Sequence, residues 1–270
     1  MINWIAKLDN ALTDAVIKAT RGFEKFGILF SAGLDSSLIA KLCEDLGKKP
    51  TLYSVGVQDS AELVQIEKAR KFFNEIKIRV ISIDEIESYA RKVIAAINSC
   101  STMHVGIEIP LYIACEEAKK DGHRLVLCGQ GADELFAGYN RYLGMPRSEL
   151  EKALRSDVEE LLKVNILRDI ATARANSLEL GVPYLDGEAV KVALSIPVGL
   201  KIKNGIRKYI LKEVARKRSL PEFIYAREKK AVQYSTGVDK ALRKLAKEKG
   251  KRVEKYLQEV YPLSTTIYCR

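Results

Sequence analysis

Gly27-Ile28-Leu29-Phe30-Ser31-Ala32-Gly33-Leu34-Asp35-Ser36-Ser37, continuing through LIAKLCEDLG to Gly47, decides how this chain is read. A short apolar run at 27–30 ends abruptly in small and hydroxylated residues. Apolar side chains then recur at helical spacing until Gly47 stops them, so the order is strand, tight turn, helix. Such a turn presents free backbone N–H groups and the positive end of the helix dipole to an anion. Gly33 lets the backbone approach closely, and the hydroxyls of Ser31, Ser36 and Ser37 can donate to phosphate oxygens. Asp35 repels phosphate unless a cation intervenes, which implies Mg²⁺ bridging carboxylate and phosphate. The loop lacks the lysine of a P-loop and the three glycines of a dinucleotide fingerprint, so neither applies. The same residues would also serve as an ordinary Ser/Gly turn capped by Asp35.

Working outward, TLYSVGV at 51–57, IRVISI at 78–83 and RLVLCG at 124–129 read as further strands. Helical spacing covers 5–20, where Ile5, Leu8, Leu12, Val16 and Ile17 recur, and also 61–74, 85–98 and 110–120. Short apolar strands alternating with helices mean βαβ units and a parallel sheet. From about 148 the pattern changes. Ser148 with Glu151 reads as a capping box opening a helix that carries Leu150, Leu154, Leu161 and Leu162. Helices are expected at 165–177, 187–195, 207–217 and 239–258, and no strand is expected after 145. The fold class expected is α/β, divided into an α/β nucleotide-binding region at 1–145 and a basic helical region at 146–270.

A second loop, Gly129-Gln130-Gly131-Ala132-Asp133-Glu134, also follows a buried strand. In an open parallel sheet ligands bind at the carboxyl ends of the strands, where strand order reverses. Two loops bearing glycine and aspartate at such ends can face the same phosphates, and Asp35 and Asp133 would then hold the metal together.

Composition narrows the alternatives. A chain of 270 residues, 47% hydrophobic and 30% charged, is a globular protein with room for one or two cores. No apolar run approaches the length of a membrane span. The N-terminal segment is charged throughout and amphipathic, unlike a signal peptide, so a cytoplasmic location is expected. Cysteines 43, 100, 115, 128 and 269 include no CxxC pair, which excludes a zinc knuckle, and Cys128 reads as a small core thiol. Residues 1–140 carry 17 Lys and Arg against 19 Asp and Glu, and the remainder 28 against 16, so the net charge of +10 belongs to the second half. That half faces something anionic, phosphates or RNA, or is simply a solvated lysine-rich surface.

The loops carry a resemblance. SAGLDSS resembles the SGGLDSS loop of the N-type ATP pyrophosphatases, and GQGADELFAGY is similar to the GEGSDE-type motif of asparagine synthetases. The likeness extends to NSLELGVPYLD at 176–186, RKYILKEV at 207–214 and REKKAVQYSTGV at 227–238, in the family's order. It implies a HUP-like parallel sheet with a helical C-terminal extension. It further implies an ATP-dependent amide ligase that forms an acyl adenylate, releases pyrophosphate and passes the acyl group to ammonia or an amine. ATP is expected with its adenine near Ser54-Val55-Gly56 and its phosphates on Ser31–Ser37. Phe30, Val55, Cys128 and Gly129 match the family's ATP-contacting positions. Lys229, with Lys230 beside it, matches the lysine that stabilises the leaving pyrophosphate.

Five departures from the family pattern stand out. The synthetase-like helix begins almost at once after Met1-Ile2, with no glutaminase-like segment before it. Nitrogen is therefore expected from free ammonia, a separate glutaminase subunit or an amine on the substrate. Gln130 replaces the motif's first glutamate, and a neutral amide orients by hydrogen bonds rather than acting as a base. Gly106 and Gly181 stand where arginines are usual, and Glu108 where a small residue is. If these positions line the acyl pocket, it has lost positive charge, which favours a substrate other than aspartate unless residues such as Arg174 or Lys208 compensate. Two rival functions remain: an RNA-modifying pyrophosphatase that adenylates a base, and a nucleotide-binding protein that has lost catalysis.

Overall fold

The structure, a computed structural model, describes residues 2–227 and 231–261. Helix α1 (Trp4–Ala19) precedes β1 (Gly27–Leu29), α2 (Leu34–Asp45), β2 (Thr51–Val57), α3 (Ala61–Ala69) and β3 (Ile76–Ile81). Next come α4 (Ile83–Ile97), α5 (Thr102–Lys120), β4 (Leu125–Leu127) and the short α6 (Ala132–Leu135). Then follow α7 (Arg147–Glu160), α8 (Ile166–Ala175), β5 (Glu179–Gly181), α9 (Gly187–Ser195) and α10 (Val198–Lys201). The described chain ends with α11 (Tyr209–Lys217), α12 (Glu222–Tyr225), α13 (Val232–Ser235), α14 (Val238–Glu248) and α15 (Val253–Val260).

The five strands form one sheet in the order β3-β2-β1-β4-β5, every pairing parallel. Parallel neighbours need crossovers, and the helices supply them on both faces. Alternation along each strand feeds two cores. Ile28, Leu52, Leu125 and Leu127 enter the core shared with α1, α2, α9 and α11. Tyr53, Val55 and Val126 enter the one shared with α4, α5 and α14. A third, small cluster joins Ala137, Tyr142, Leu150, Leu154 and Val198.

The mixed α/β class and the parallel sheet agree with the sequence, but five details differ. β5 lies beyond residue 145; it is three residues long, begins with an exposed Glu179 and pairs with β4 alone, so no apolar alternation announces it. α5 starts eight residues before Pro110, which sits inside the helix. A proline ring clashes with the carbonyl four residues back, and Gly106 holds that position with no side chain of its own. The Ser148–Glu151 box does not form, because Pro146, fixed in an extended conformation, caps α7 and leaves Ser148 inside the first turn. The reciprocal box instead joins Ser82 and Glu85 at the start of α4. A π turn at Leu161–Asn165 shifts the register by one residue, so Leu161 is buried and Leu162 exposed. The helix expected over 239–258 is broken at Gly250, which adopts a left-handed φ of 66° between α14 and α15.

Candidate functional site

β1 and β4 are neighbours, with β2 beyond one and β5 beyond the other, so strand order reverses between them. Their two loops therefore meet at the carboxyl edge. The meeting is close. A Cβ at Gly129 would lie 2.9 Å from Asp35 Cβ and 3.2 Å from the Ser36 amide nitrogen, so only glycine fits.

The first loop is braced by its own hydroxyls. Ser31 N–H donates to Ser36 Oγ at 3.2 Å, and Gly33 N–H donates to Ser31 Oγ at 3.4 Å. Gly33 caps α2 without a side chain, leaving the first-turn amides of the helix uncapped. Ser37 Oγ is buried and has no hydrogen-bond partner. A fully buried hydroxyl without a partner costs stability unless a ligand or water satisfies it.

The two expected metal carboxylates do converge. Lys208 Nζ donates to Asp35 Oδ1 at 2.7 Å and Oδ2 at 2.8 Å, and lies 2.7 Å from Asp133 Oδ1. The lysine caps α11 from the left-handed region, φ 54°. Gly138 makes the approach possible: a Cβ there would fall 1.9 Å from Asp133 Oδ1 and 2.4 Å from Lys208 Cε. Arg207 Nη1 donates to the Gly138 carbonyl and ties the two segments together. The ammonium is a stand-in cation, and it shows the pair arranged to hold positive charge. Among the described residues no group of three or more His, Cys, Asp or Glu could hold a metal by itself. Two carboxylates completed by phosphate oxygens and water are a donor set that fits Mg²⁺.

A second ionic cluster lies behind the same β4 loop. Gln130 Nε2 donates to Asp169 Oδ2 at 2.8 Å, and Arg168 Nη2 to Asp169 Oδ1 at 3.0 Å. Arg168 also donates through Nε to Glu108, whose other oxygen accepts from Thr172 Oγ1 at 2.6 Å. Glu108 is fully buried. Burial, then the nearby Asp169, push its carboxyl up to about 8 against the opposing pull of Arg168. The cluster also explains the amide at 130, since an ionised glutamate there would oppose the Asp169 carboxylate.

The remaining sequence-predicted residues divide. Val55 and Phe30 bury their side chains in opposite cores, Phe30 edge-on to Phe73 at 5.1 Å between ring centroids. Gly56 lies under Ser60, whose Oγ would be 2.6 Å from a Cβ there. Cys128 is buried, and desolvation pushes its thiol up to about 12, so it stays protonated. Lys229 and Lys230 lie outside the described residues. The segment after them reaches the ligand edge, where Val57 N–H donates to the Thr236 carbonyl at 2.8 Å.

The charge count expected of the acyl pocket does not survive. Glu108 is paired inside the protein, and a side chain at Gly181 would strike Leu127 at 2.5 Å within the first core. Gly106 is covered by Gln233, whose Cβ would be 3.3 Å from a Cβ at 106. The electrostatic ground for excluding aspartate is thereby removed. Of the two candidate replacements, Lys208 stands in the site and Arg174 is exposed in the last turn of α8. Sequence reasoning missed Arg168 and Asp169; the one available signal was a charged pair inside an otherwise apolar helical stretch.

An open parallel sheet that brings two acidic loops together at its switch point is the architecture of an α/β nucleotide-binding protein. The chain belongs to the asparagine synthase family, whose model matches residues 7–150 and 144–260. A putative glutamine-hydrolysing asparagine synthetase of Methanocaldococcus jannaschii is 41% identical over 93% of this chain and 53% of its own length. The Gallus gallus asparagine synthetase is 32% identical over 83% of this chain and 42% of its own. The chain thus spans about half the length of the curated relatives it matches. A solved structure described as a predicted tRNA methyltransferase subunit from Methanocaldococcus jannaschii aligns with a TM-score of 0.32 and 16% identity, over 74% of this chain and 91% of its own. A likeness that distant carries no argument. Among the described residues no helix is long and apolar enough to cross a membrane.

Proposed function

We propose that the chain is an ATP-dependent amide ligase: it adenylates a carboxylate, releases pyrophosphate and transfers the acyl group to ammonia or an amine. The observation that carries this is the convergence of Asp35 and Asp133, from loops on adjacent strands, at one cation position beside the uncapped start of α2. Family membership supports the same reading. The amides and hydroxyls of Ser31–Ser37 would bind the phosphates, with the orphan Ser37 Oγ as one donor. Asp35 and Asp133 would hold Mg²⁺, which when bound neutralises charge on the pyrophosphate. Gln130, its amide nitrogen fixed by Asp169, would orient the acyl group or its nucleophile through the carbonyl oxygen. The nitrogen donor would be free ammonia, an amine, or a separate glutaminase subunit.

Pyrophosphate release from ATP and Mg²⁺, screened across amino acids, other carboxylates and bulk tRNA, tests the assignment. Release with a small carboxylate is the expected result. Release with tRNA alone would instead support base adenylation, to which the basic second half is suited. No release with any partner would leave a nucleotide-binding protein without catalysis.

Lys229 is assigned to the transition state. Lys229→Ala should lower turnover roughly 100-fold or more while ATP affinity changes much less, as when one oxyanion-type donor is removed. An equal fall in affinity would make it an ATP anchor.

A further inference from the structure

Lys208 occupies the point that Asp35 and Asp133 would otherwise offer to a metal. We propose that this lysine sets the form in which metal is accepted: the nucleotide-free site refuses Mg²⁺, and admits it only on the phosphates of a nucleotide. The proposal rests on the assignment of Asp35 and Asp133 as metal carboxylates.

Two hydrogen bonds to Asp35, at 2.7 and 2.8 Å, and an ion pair with Asp133 at 2.7 Å hold the ammonium against both carboxylates. Mg²⁺ needs oxygens at about 2.0–2.1 Å in near-octahedral array and gives up its water reluctantly. A metal bound between the same oxygens would have to displace the ammonium and meet its charge in a site shielded from solvent. Gly138 and the Arg207 clamp crowd the flanks of the lysine, so the ammonium has little room to move aside within its own pocket. Nucleotide phosphates change the balance. They bring oxygens that complete the metal's shell and enough negative charge to hold metal and ammonium together.

The geometry is built rather than incidental. Lys208 starts α11 from a left-handed backbone that β-carbon-bearing residues rarely adopt, and its side chain is 8% exposed. A long, flexible cation confined in this way has lost the freedom a surface lysine keeps. The arrangement also keeps two buried carboxylates compensated between catalytic cycles, which an entirely metal-dependent site would not.

Mn²⁺ serves as the probe, its binding read by electron paramagnetic resonance on the full chain, with folding checked by thermal melting. Nucleotide-free wild type should bind no Mn²⁺ at this site. Lys208→Met should bind it at least ~10-fold more tightly, the scale of an ordinary coupling between two mutually exclusive ligands. Lys208→Gln, which removes the charge while keeping a polar N–H donor, is the second variant in case the first fails to fold. Adding the non-hydrolysable analogue α,β-methylene ATP should make Mn²⁺ bind the wild type stoichiometrically. If nucleotide-free wild type binds Mn²⁺ as tightly as the variants do, or if folded variants bind none, the lysine does not exclude the metal. Failure of the Mn²⁺–analogue complex to bind any form would count against the nucleotide site itself, a result separable from both.

Discussion

The two buried ionic clusters flanking the β4 loop have the same inventory and opposite character. Each sets two carboxylates around one basic side chain: Asp35 and Asp133 around Lys208, and Glu108 and Asp169 around Arg168. The difference is in the cation and its neighbours. Lysine is a compact point charge on a flexible stem, and its three contacts all go to carboxylates. Arginine is a rigid planar fork. Around Arg168, Thr172 and Gln130 donate to the remaining carboxylate oxygens, and Asn165 accepts from the guanidinium. A cluster whose carboxylates are locked by a rigid guanidinium and by neighbouring side-chain donors is structural, whereas one that includes a flexible ammonium next to uncapped helix amides is open to exchange.

Substitution of either metal carboxylate should have the largest effect. Asp35→Asn and Asp133→Asn should abolish Mg²⁺-dependent ATP binding, measured by calorimetry, and product formation, while the protein stays folded. Full pyrophosphate release from both would break the distinction between the clusters.

Arg168→Met should act first on stability. Leaving Glu108 and Asp169 without their cation should cost about 3–5 kcal/mol in denaturant unfolding, and Mg²⁺ should restore none of it. Recovery with metal would mean that the second cluster is also a cation site.

A pH dependence of comparable size also belongs to the Arg168 cluster. Burial raises the Glu108 carboxyl from the usual 4.5 to about 8 in the folded protein. The folded state therefore holds this proton more tightly than the unfolded chain does. Its contribution to stability is complete below about 4.5 and is lost as pH rises through about 8. Glu108→Gln should remove that slope, so wild type loses stability relative to the variant across this window. Parallel stability curves would show that Arg168 keeps Glu108 ionised throughout.

Legibility from sequence followed distance along the chain. β2 is read to the residue, because TLYSVGV is continuous and apolar and needs no partner to be recognised. The two phosphate-edge loops were legible for the same reason: strand, glycine, acid and helix lie within about a dozen residues. β5 was not, since a three-residue edge strand takes its identity from Leu125–Leu127 rather than from its own pattern. Nor were the partners of the acids. Asp169 meets Gln130 across 39 residues and Arg168 meets Glu108 across 60, separations at which spacing carries no signal. The charge count at Gly106, Glu108 and Gly181 has the same origin, because it treated positions on two distant segments as facing one cavity.

Lys208 and Asp35 stand 173 residues apart in the chain. During synthesis the first carboxylate emerges, and its loop folds against β1, long before the cation that balances it exists. A nascent chain that has not reached α11 lacks the Lys208 ammonium that pairs with Asp35 and Asp133 in the complete fold. The balanced site is thus among the last features to form, and loop closure over that span is slow compared with the local helices. Chains halted before residue 208 should have the sheet's early strands but no closed site, so that competence for nucleotide reports completion of the fold.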